Sequence, residues 1–187
     1  ARELAAGEVG EITVAGPTVT DSYFNREAAT RAAKIREARE DGSERVVHRM
    51  GDVGYFDAAG RLWFCGRKTQ RVETADGPLH TEQVEPVFNV HPQVRRTALV
   101  GIGGTGAQRP VLCVELADGV EAGQFARIER ELRALGTRHP HTARITAFLR
   151  HPGFPVDIRH NAKIGREKLA AWAAAYRSRP RDTGASA

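Results

Sequence analysis

HRMGDVGYFDAAGRLWFCGRKTQ, residues 48–70, is the stretch on which the chain divides. Gly51 to Phe64 reads as a β-hairpin. Tyr55-Phe56 and Leu62-Trp63-Phe64 are aromatic strand-formers, and Asp57-Ala58-Ala59-Gly60 between them carries turn chemistry. Gly66 is expected to break the pattern, and the alternation changes after it. A domain boundary is therefore predicted within Gly66–Gln70. A hairpin brings its two ends side by side, so Asp52 and Arg67 are expected near one another at one end of a sheet. An acidic acceptor can hold vicinal ribose hydroxyls, and a guanidinium fork can hold hydroxyl or phosphate oxygens. Spacing alone favours a simpler reading, a surface ion pair worth well under ~1 kcal/mol.

Upstream of the hairpin, Gly10 to Val14 reads as a short strand closed by Gly16-Pro17. Residues 26–39 read as a helix with Asn25 as N-cap and Glu27 in its first turn. Downstream, residues 70–74 read as a strand, Asp76-Gly77-Pro78 as a turn, and Thr81 as the cap of a helix ending near Asn89. Glu82 and Glu85 would sit near that helix's positive end. Strands are predicted at 94–100, 111–116 and 144–149. Helices are predicted at 121–135 and from about 166 to 176, where Leu169, Trp172, Ala173 and Tyr176 have helical spacing. The tail PRDTGASA is small and polar and is expected to be disordered. The fold class is thus α+β: a β-rich end of one domain (1–67), then a small α+β domain (68–177) with a three-stranded sheet flanked by helices, then a tail (178–187).

Composition narrows the function. Of 187 residues, 41% are hydrophobic and 6% aromatic, which suits an ordinary core rich in Ala, Val and Leu. The net charge of +5 is dispersed, and runs such as RAAKIREARE (31–40) alternate in sign, as solvated faces do. No aromatics interleave with a basic cluster, which argues against nucleic-acid binding. Cys65 and Cys113 lie in apolar strand runs and read as buried reduced thiols, with neither a CxxC nor a His pair at ligand spacing. His139 and His141 flank Pro140 and are expected in a loop. No apolar run approaches the ~20 residues that span a bilayer, and Ala1 to Val14 does not resemble a signal peptide. A cytoplasmic location is expected. The lack of an initiator methionine suggests a piece of a longer chain.

Two further features carry candidate chemistry. Gly101-Ile-Gly-Gly-Thr-Gly106 follows a strand but opens no helix, so it reads as a hairpin connection rather than a phosphate loop. Lys163 stands among turn-formers (Pro155, Asp157, Asn161) just before the last helix, and only Lys34, Lys68 and Lys168 accompany it in an arginine-rich chain. Taken alone it reads as a solvated surface charge.

Four stretches together resemble the adenylate-forming enzymes: acyl-CoA synthetases, fatty-acyl-AMP ligases, peptide-synthetase adenylation domains and luciferases. GEVGEITVAGPTVTDSYFNREAAT (7–30) is similar to the family's GEI…G…V…GY.N motif, and HRMGDVGYFDAAGRLWFCGRK (48–68) to its TGD…D..G…GR motif. QVE (83–85) stands in the place of its EIE helix, and FPVDIRHNAKIGREKL (154–169) in that of P…GK…R..L. The resemblance implies that Asp52 binds the ATP ribose hydroxyls, with Arg67 beside it at the domain boundary. It implies that Thr69 occupies the hinge, where Asp or Lys is usual, and that Lys163 bridges the carboxylate substrate and the ATP α-phosphate. ATP and Mg2+ are the implied cofactors, the Mg2+ bound mainly by a part of the protein upstream of this chain. The small domain would be a mobile lid.

Three departures stand out. Met50 replaces the usual Thr before Gly-Asp, Thr69 replaces a charged hinge, and Glu73-Thr-Ala-Asp76 replaces the Lys and Gly-Gly typical of thioester-forming members. The runs LWFCGRK, GPLHT, VFNVHP, RRTALVG and HPGFPVDIRHNAKI resemble one branch, the olefin β-lactone synthetases of long-chain hydrocarbon biosynthesis. That branch implies adenylation of a long-chain β-hydroxy acid, ring closure by its own hydroxyl without coenzyme A, and an assembly with other hydrocarbon-forming enzymes. An acyl-CoA synthetase or fatty-acyl-AMP ligase is the alternative within enzymes. A stand-alone ligand-binding or scaffold domain is the alternative outside them.

Overall fold

The computed structural model describes residues 2–157 and 163–178. The expected disordered tail lies, apart from Ser178, outside the described residues. Two compact units share the chain, Ala1–Thr69 and Gln70–Ala187.

The first unit is organised by one long strand. β1 (Gly10–Ala15), α1 (Glu27–Ala33), β2 (Lys34–Ala38), β3 (Glu44–Phe56) and β4 (Leu62–Arg67) follow in order. β3 pairs antiparallel with all three other strands. β2 takes its first half, from Lys34↔His48 to Ala38↔Glu44, and β4 its second, from Asp52↔Arg67 to Phe56↔Leu62. Val47, Val53 and Cys65 are buried along this sheet. The expected hairpin is present, but β3 begins well before Gly51. Gly66 does not end β4. The register slips between Val53 and Gly54, leaving Cys65 as an extra residue, and Gly66 takes φ +119° there. That conformation suits a glycine at a β-bulge, and the strand continues to Arg67.

The helix expected over 26–39 is corrected. Only Glu27–Ala33 is helical, and residues 34–38 form β2. Alternating charges made 31–40 look like a helix face, but the β3 edge offers a ladder that local periodicity does not register. Asn25 is not the N-cap. Arg26 holds that position with no side-chain cap, and Asn25 has φ +52°.

The second unit begins with the β5 (Val72–Thr74) and β6 (Gly77–Leu79) hairpin and then α2 (Thr81–Asn89). The turn is Ala75-Asp76 rather than 76–78. His80 is the N-cap of α2 and Thr81 its first residue. β7 (Val94–Ile102), β8 (Arg109–Leu116) and β9 (Ala147–Arg150) form the expected three-stranded sheet, β7 antiparallel and β9 parallel to β8. α3 (Phe125–Gly136) and the short α4 (Pro140–Ala143) lie between β8 and β9. α4 starts at Pro140, which is pre-set for a first helical turn, so the His139-Pro-His141 segment is no loop.

Period-two alternation splits this sheet between two cores. Leu99, Leu112, Val114 and Phe148 pack with Val84, Phe88, Ile128 and Leu132 of α2 and α3. Ala98, Val100, Val111 and Cys113 pack on the other face with Leu169 and Ala173 of α5 (Arg166–Ser178). Between β9 and α5 the two-residue strands β10 (Val156–Asp157) and β11 (Lys163–Ile164) pair antiparallel. They stand where the sequence suggested only loop.

Candidate functional site

Asp52 and Arg67 are register partners across β3 and β4, and Arg67 Nε lies 3.2 Å from Asp52 Oδ1. Arg67 also donates from Nη1 to the Met50 carbonyl at 3.1 Å, which steers the guanidinium along the strand end. The contact with Asp52 has ion-pair distance without hydrogen-bond geometry. Asp52 Oδ1 is accordingly shielded from solvent yet accepts no hydrogen bond among the described residues. A buried carboxylate oxygen in that condition carries a desolvation cost until a donor reaches it. A hydroxyl pair is a suitable donor, so the residues present fit a ribose. Met50 is exposed and apolar, and its side chain offers no hydroxyl to a nucleotide.

A second cluster ties the end of β4 to β1, and the sequence did not reveal it. Glu11 Oε2 accepts from Arg49 Nη2 at 2.6 Å and from Lys68 Nζ at 2.7 Å. Burial alone would push the Glu11 carboxyl up. The hydrogen bonds from Arg49 and Lys68 outweigh it and hold it below the usual carboxylate range. Lys68 opens a 3-10 turn to Gln70, and the division between units falls just after Thr69 inside that turn.

In the second unit Lys163 opens β11, opposite Asp157 of β10, with an exposed side chain. Two residues on, the Gly165 amide donates to the Pro155 carbonyl at 2.7 Å and α5 begins. Arg166 then forks onto Glu85 of α2, with Nη2 2.9 Å from Oε2 and Nη1 on Oε1. Glu85 Oε1 also accepts the Leu99 amide of β7 at 2.8 Å. Glu85 was expected merely to complement the α2 dipole. It is instead a buried carboxylate, pushed up by burial while Arg166 and the Leu99 amide pull it back. Sequence offers no signal for a pair 81 positions apart.

The Glu73 to Asp76 segment is pinned from three sides. Glu73 and Gln108 exchange hydrogen bonds, the Glu73 amide to Oε1 at 2.7 Å and the Gln108 amide to the Glu73 carbonyl at 2.8 Å. Thr74 Oγ1 donates to the Gly77 carbonyl at 2.6 Å, and Arg144 Nη1 to the Asp76 carbonyl at 2.8 Å. The Gly101–Gly106 stretch joins antiparallel β7 to β8, a hairpin connection as expected. Both cysteines are free and buried. Burial raises the Cys65 thiol, and burial with Glu85 nearby pushes Cys113 up to about 12. Among the described residues no group of His, Cys, Asp and Glu could hold a metal ion, and no helix is long and apolar enough to cross a membrane.

No protein-family model matches the chain. Among curated proteins it is 79% identical over 94% of its length to the olefin beta-lactone synthetase of Xanthomonas campestris pv. campestris. It is 70% identical, again over 94% of its length, to the olefin beta-lactone synthetase of Stenotrophomonas maltophilia. The chain spans about a third of those relatives, 32% and 31%. Among solved structures, the amide bond synthetase McbA of Marinactinospora thermotolerans aligns with TM-score 0.69 and 26% identity, over 91% of this chain and 32% of that one. The o-succinylbenzoate CoA synthetase of Bacillus subtilis, solved with its acyl-adenylate intermediate, aligns with TM-score 0.65 and 26% identity, over 89% of this chain and 31% of that one. Relatives at this identity, and neighbours of the same fold of which one was solved with an acyl-adenylate, lead to one conclusion: the chain belongs to the adenylate-forming enzymes.

Proposed function

We propose that the chain is the C-terminal part of an ATP-dependent enzyme that adenylates a long-chain β-hydroxy acid and closes it to a β-lactone. The observation that carries this reading is 79% identity across 94% of the chain to an olefin beta-lactone synthetase. In the first step a carboxylate oxygen attacks the α-phosphorus of ATP, the bond to the bridging oxygen breaks, and pyrophosphate leaves. In the second the β-hydroxyl oxygen attacks the acyl carbonyl carbon, its proton passes to a base or solvent, the bond from that carbon to the phosphate oxygen breaks, and AMP departs with its electron pair. An internal nucleophile of this kind reaches an effective molarity on the order of 10⁵ M or more when well oriented.

Each residue's part follows from its chemistry. Asp52 accepts the ribose hydroxyls, and an Oδ1 that is ion-paired with Arg67 yet accepts no hydrogen bond among the described residues supports that role. Arg67 orients Asp52 and offers its remaining N–H groups to oxygens of the nucleotide. Lys163 is the ammonium that meets the carboxylate and the α-phosphate, where negative charge builds in the transition state. Thr69 is the hinge about which the small domain serves as a lid. The pinned turn at Ala75-Asp76 supports an internal hydroxyl over coenzyme A as acyl acceptor. Mg2+ is expected with the ATP, held mainly by a part of the protein upstream of this chain, since no group of His, Cys, Asp and Glu among the described residues could hold a metal ion. A cytoplasmic location and an assembly with other hydrocarbon-forming enzymes are part of the same proposal.

The test is to give the full-length protein a long-chain β-hydroxy acid and ATP. β-Lactone, AMP and pyrophosphate are expected in equal amounts without coenzyme A, and a strict requirement for coenzyme A overturns the proposal in favour of a thioester-forming ligase. Lys163→Ala is expected to slow ATP–pyrophosphate exchange by roughly 10²–10³-fold. Asp52→Ala is expected to weaken nucleotide binding, and unchanged binding would remove it from the site.

A further inference from the structure

Lys163 stands on a support that cannot fix it alone. A ladder of two residues per strand, Val156↔Ile164 and Asp157↔Lys163, is far below what holds a hairpin rigid in water. Yet an ammonium that must meet two anions at once has to be placed closely, because a misplacement of about 1 Å can cost about 10²-fold in rate. Something beyond the ladder must set the position of β11.

The continuation of the chain supplies it. Ile164 packs against the α5-side core. The Gly165 amide is held by the Pro155 carbonyl at 2.7 Å, so the chain leaving β11 is closed back onto the chain entering β10. Arg166 follows at once, and three residues of extended chain span no more than ~11 Å. Whatever fixes Arg166 therefore tethers Lys163 from one side, while the Gly165–Pro155 bond and the packing of Ile164 hold it from the other.

Arg166 is fixed firmly. Its guanidinium meets Glu85 through both oxygens, Nη1 also approaches the Leu99 carbonyl at 3.4 Å, and the two side chains are only 15% and 9% exposed. A paired fork has one allowed orientation, unlike a point charge, and burial removes the competing water. Glu85 is held in turn by the Leu99 amide, which belongs to the central sheet. The path runs from the sheet through Leu99 and Glu85 to Arg166, and from there along three residues to Lys163.

We propose that Glu85 and Arg166 are positioning residues for Lys163, a buried fork that registers β11 against the sheet so that the ammonium is delivered in one place. This rests on the role given to Lys163 above. It adds that carboxylate activation, and not ring closure, depends on an ion pair that never touches substrate.

The experiment uses the full-length protein with Glu85→Gln, which removes the charge but keeps the shape, and Arg166→Lys, which keeps the charge but loses the fork. Both are expected to lower kcat for ATP–pyrophosphate exchange by about tenfold to a hundredfold, with KM for ATP unchanged. Ring closure from a supplied β-hydroxyacyl-adenylate is expected to continue at the wild-type rate, because that half-reaction does not call on Lys163. Faster hydrogen exchange at the Gly165 amide is expected in both variants. Wild-type pyrophosphate exchange in either variant overturns the proposal, as does equal loss of both half-reactions, which would mark general damage to the fold. If Lys163→Ala retains full pyrophosphate exchange, the role of Lys163 fails and the positioning role of the fork falls with it. Unchanged Gly165 protection in Glu85→Gln would overturn its hold on β11.

Discussion

Lys68 Nζ and Glu11 Oε2 lie 2.7 Å apart across 57 residues of sequence, tying the end of β4 to β1 immediately before the division at Thr69. The same oxygen accepts from Arg49, so one carboxylate on β1 holds both β3 and the turn that follows β4. Its partners hold its pKa below the ordinary 4.5.

Glu11→Gln is therefore expected to destabilise the first unit by about 1–2 kcal/mol at neutral pH, the scale of charged hydrogen bonds that are partly solvated. A depressed carboxylate stabilises above its unfolded pKa and loses that contribution as pH falls through the folded value. The gap between wild type and variant should thus shrink below pH 4.5, as urea denaturation at neutral and acid pH would measure. A gap independent of pH would sink this account.

Asp57 is a second acid-sensitive point. It accepts from Trp63 Nε1 at 2.8 Å, from the Arg61 amide at 3.0 Å, from Arg61 Nε at 2.8 Å and from the Ala59 amide at 2.9 Å, and its pKa falls to about 2. The β3–β4 turn should remain intact as pH falls through about 4 and open as it approaches about 2. The Trp63 indole N–H resonance would report this directly, and a midpoint near 4 would contradict it.

Gly54 faces Phe64 across the ladder, and a Cβ there would lie 2.5 Å from the Trp63 carbonyl oxygen and 3.0 Å from Ile12 Cδ1. The Ile12 methyl can shift, but the Trp63 oxygen is backbone and does not give way cheaply. Gly54→Ala is expected to cost about 1–3 kcal/mol, read as a lowered midpoint in chemical denaturation. A neutral effect would show that the hairpin is looser than drawn.

Both thiols should be silent in the folded protein. Cys113 titrates at about 12 and Cys65 is also raised, so neither presents much thiolate at pH 8. A chromogenic disulfide reagent is expected to detect no thiol before denaturant is added and two afterwards. Rapid native reaction of either would require local opening of its sheet.

Much of this architecture follows from short-range pattern. The 51–64 hairpin, the helix at 81–89, the three sheet strands of the second unit and the final helix all declare themselves by period and turn chemistry. Asp52 and Arg67 could be paired on paper because a hairpin register is a local property. The 34–38 segment could not be read this way. Its alternating charges suit a helix face, and it becomes β2 because β3 extends back to Glu44 and presents an edge beside it.

Lys163 shows where the limit lies. The sequence by itself determined that a lysine stands before an amphipathic helix in a motif resembling the adenylate-forming enzymes, and it determined the hairpin that brings Asp52 to Arg67. Only the tertiary structure decided that Asp52 Oδ1 meets Arg67 without accepting a hydrogen bond, that Lys68 is bound to Glu11, and that Arg166 forks onto Glu85. Periodicity and turn propensity act over a few residues, whereas an ion pair spanning 57 or 81 positions exists only once packing has brought two distant elements together.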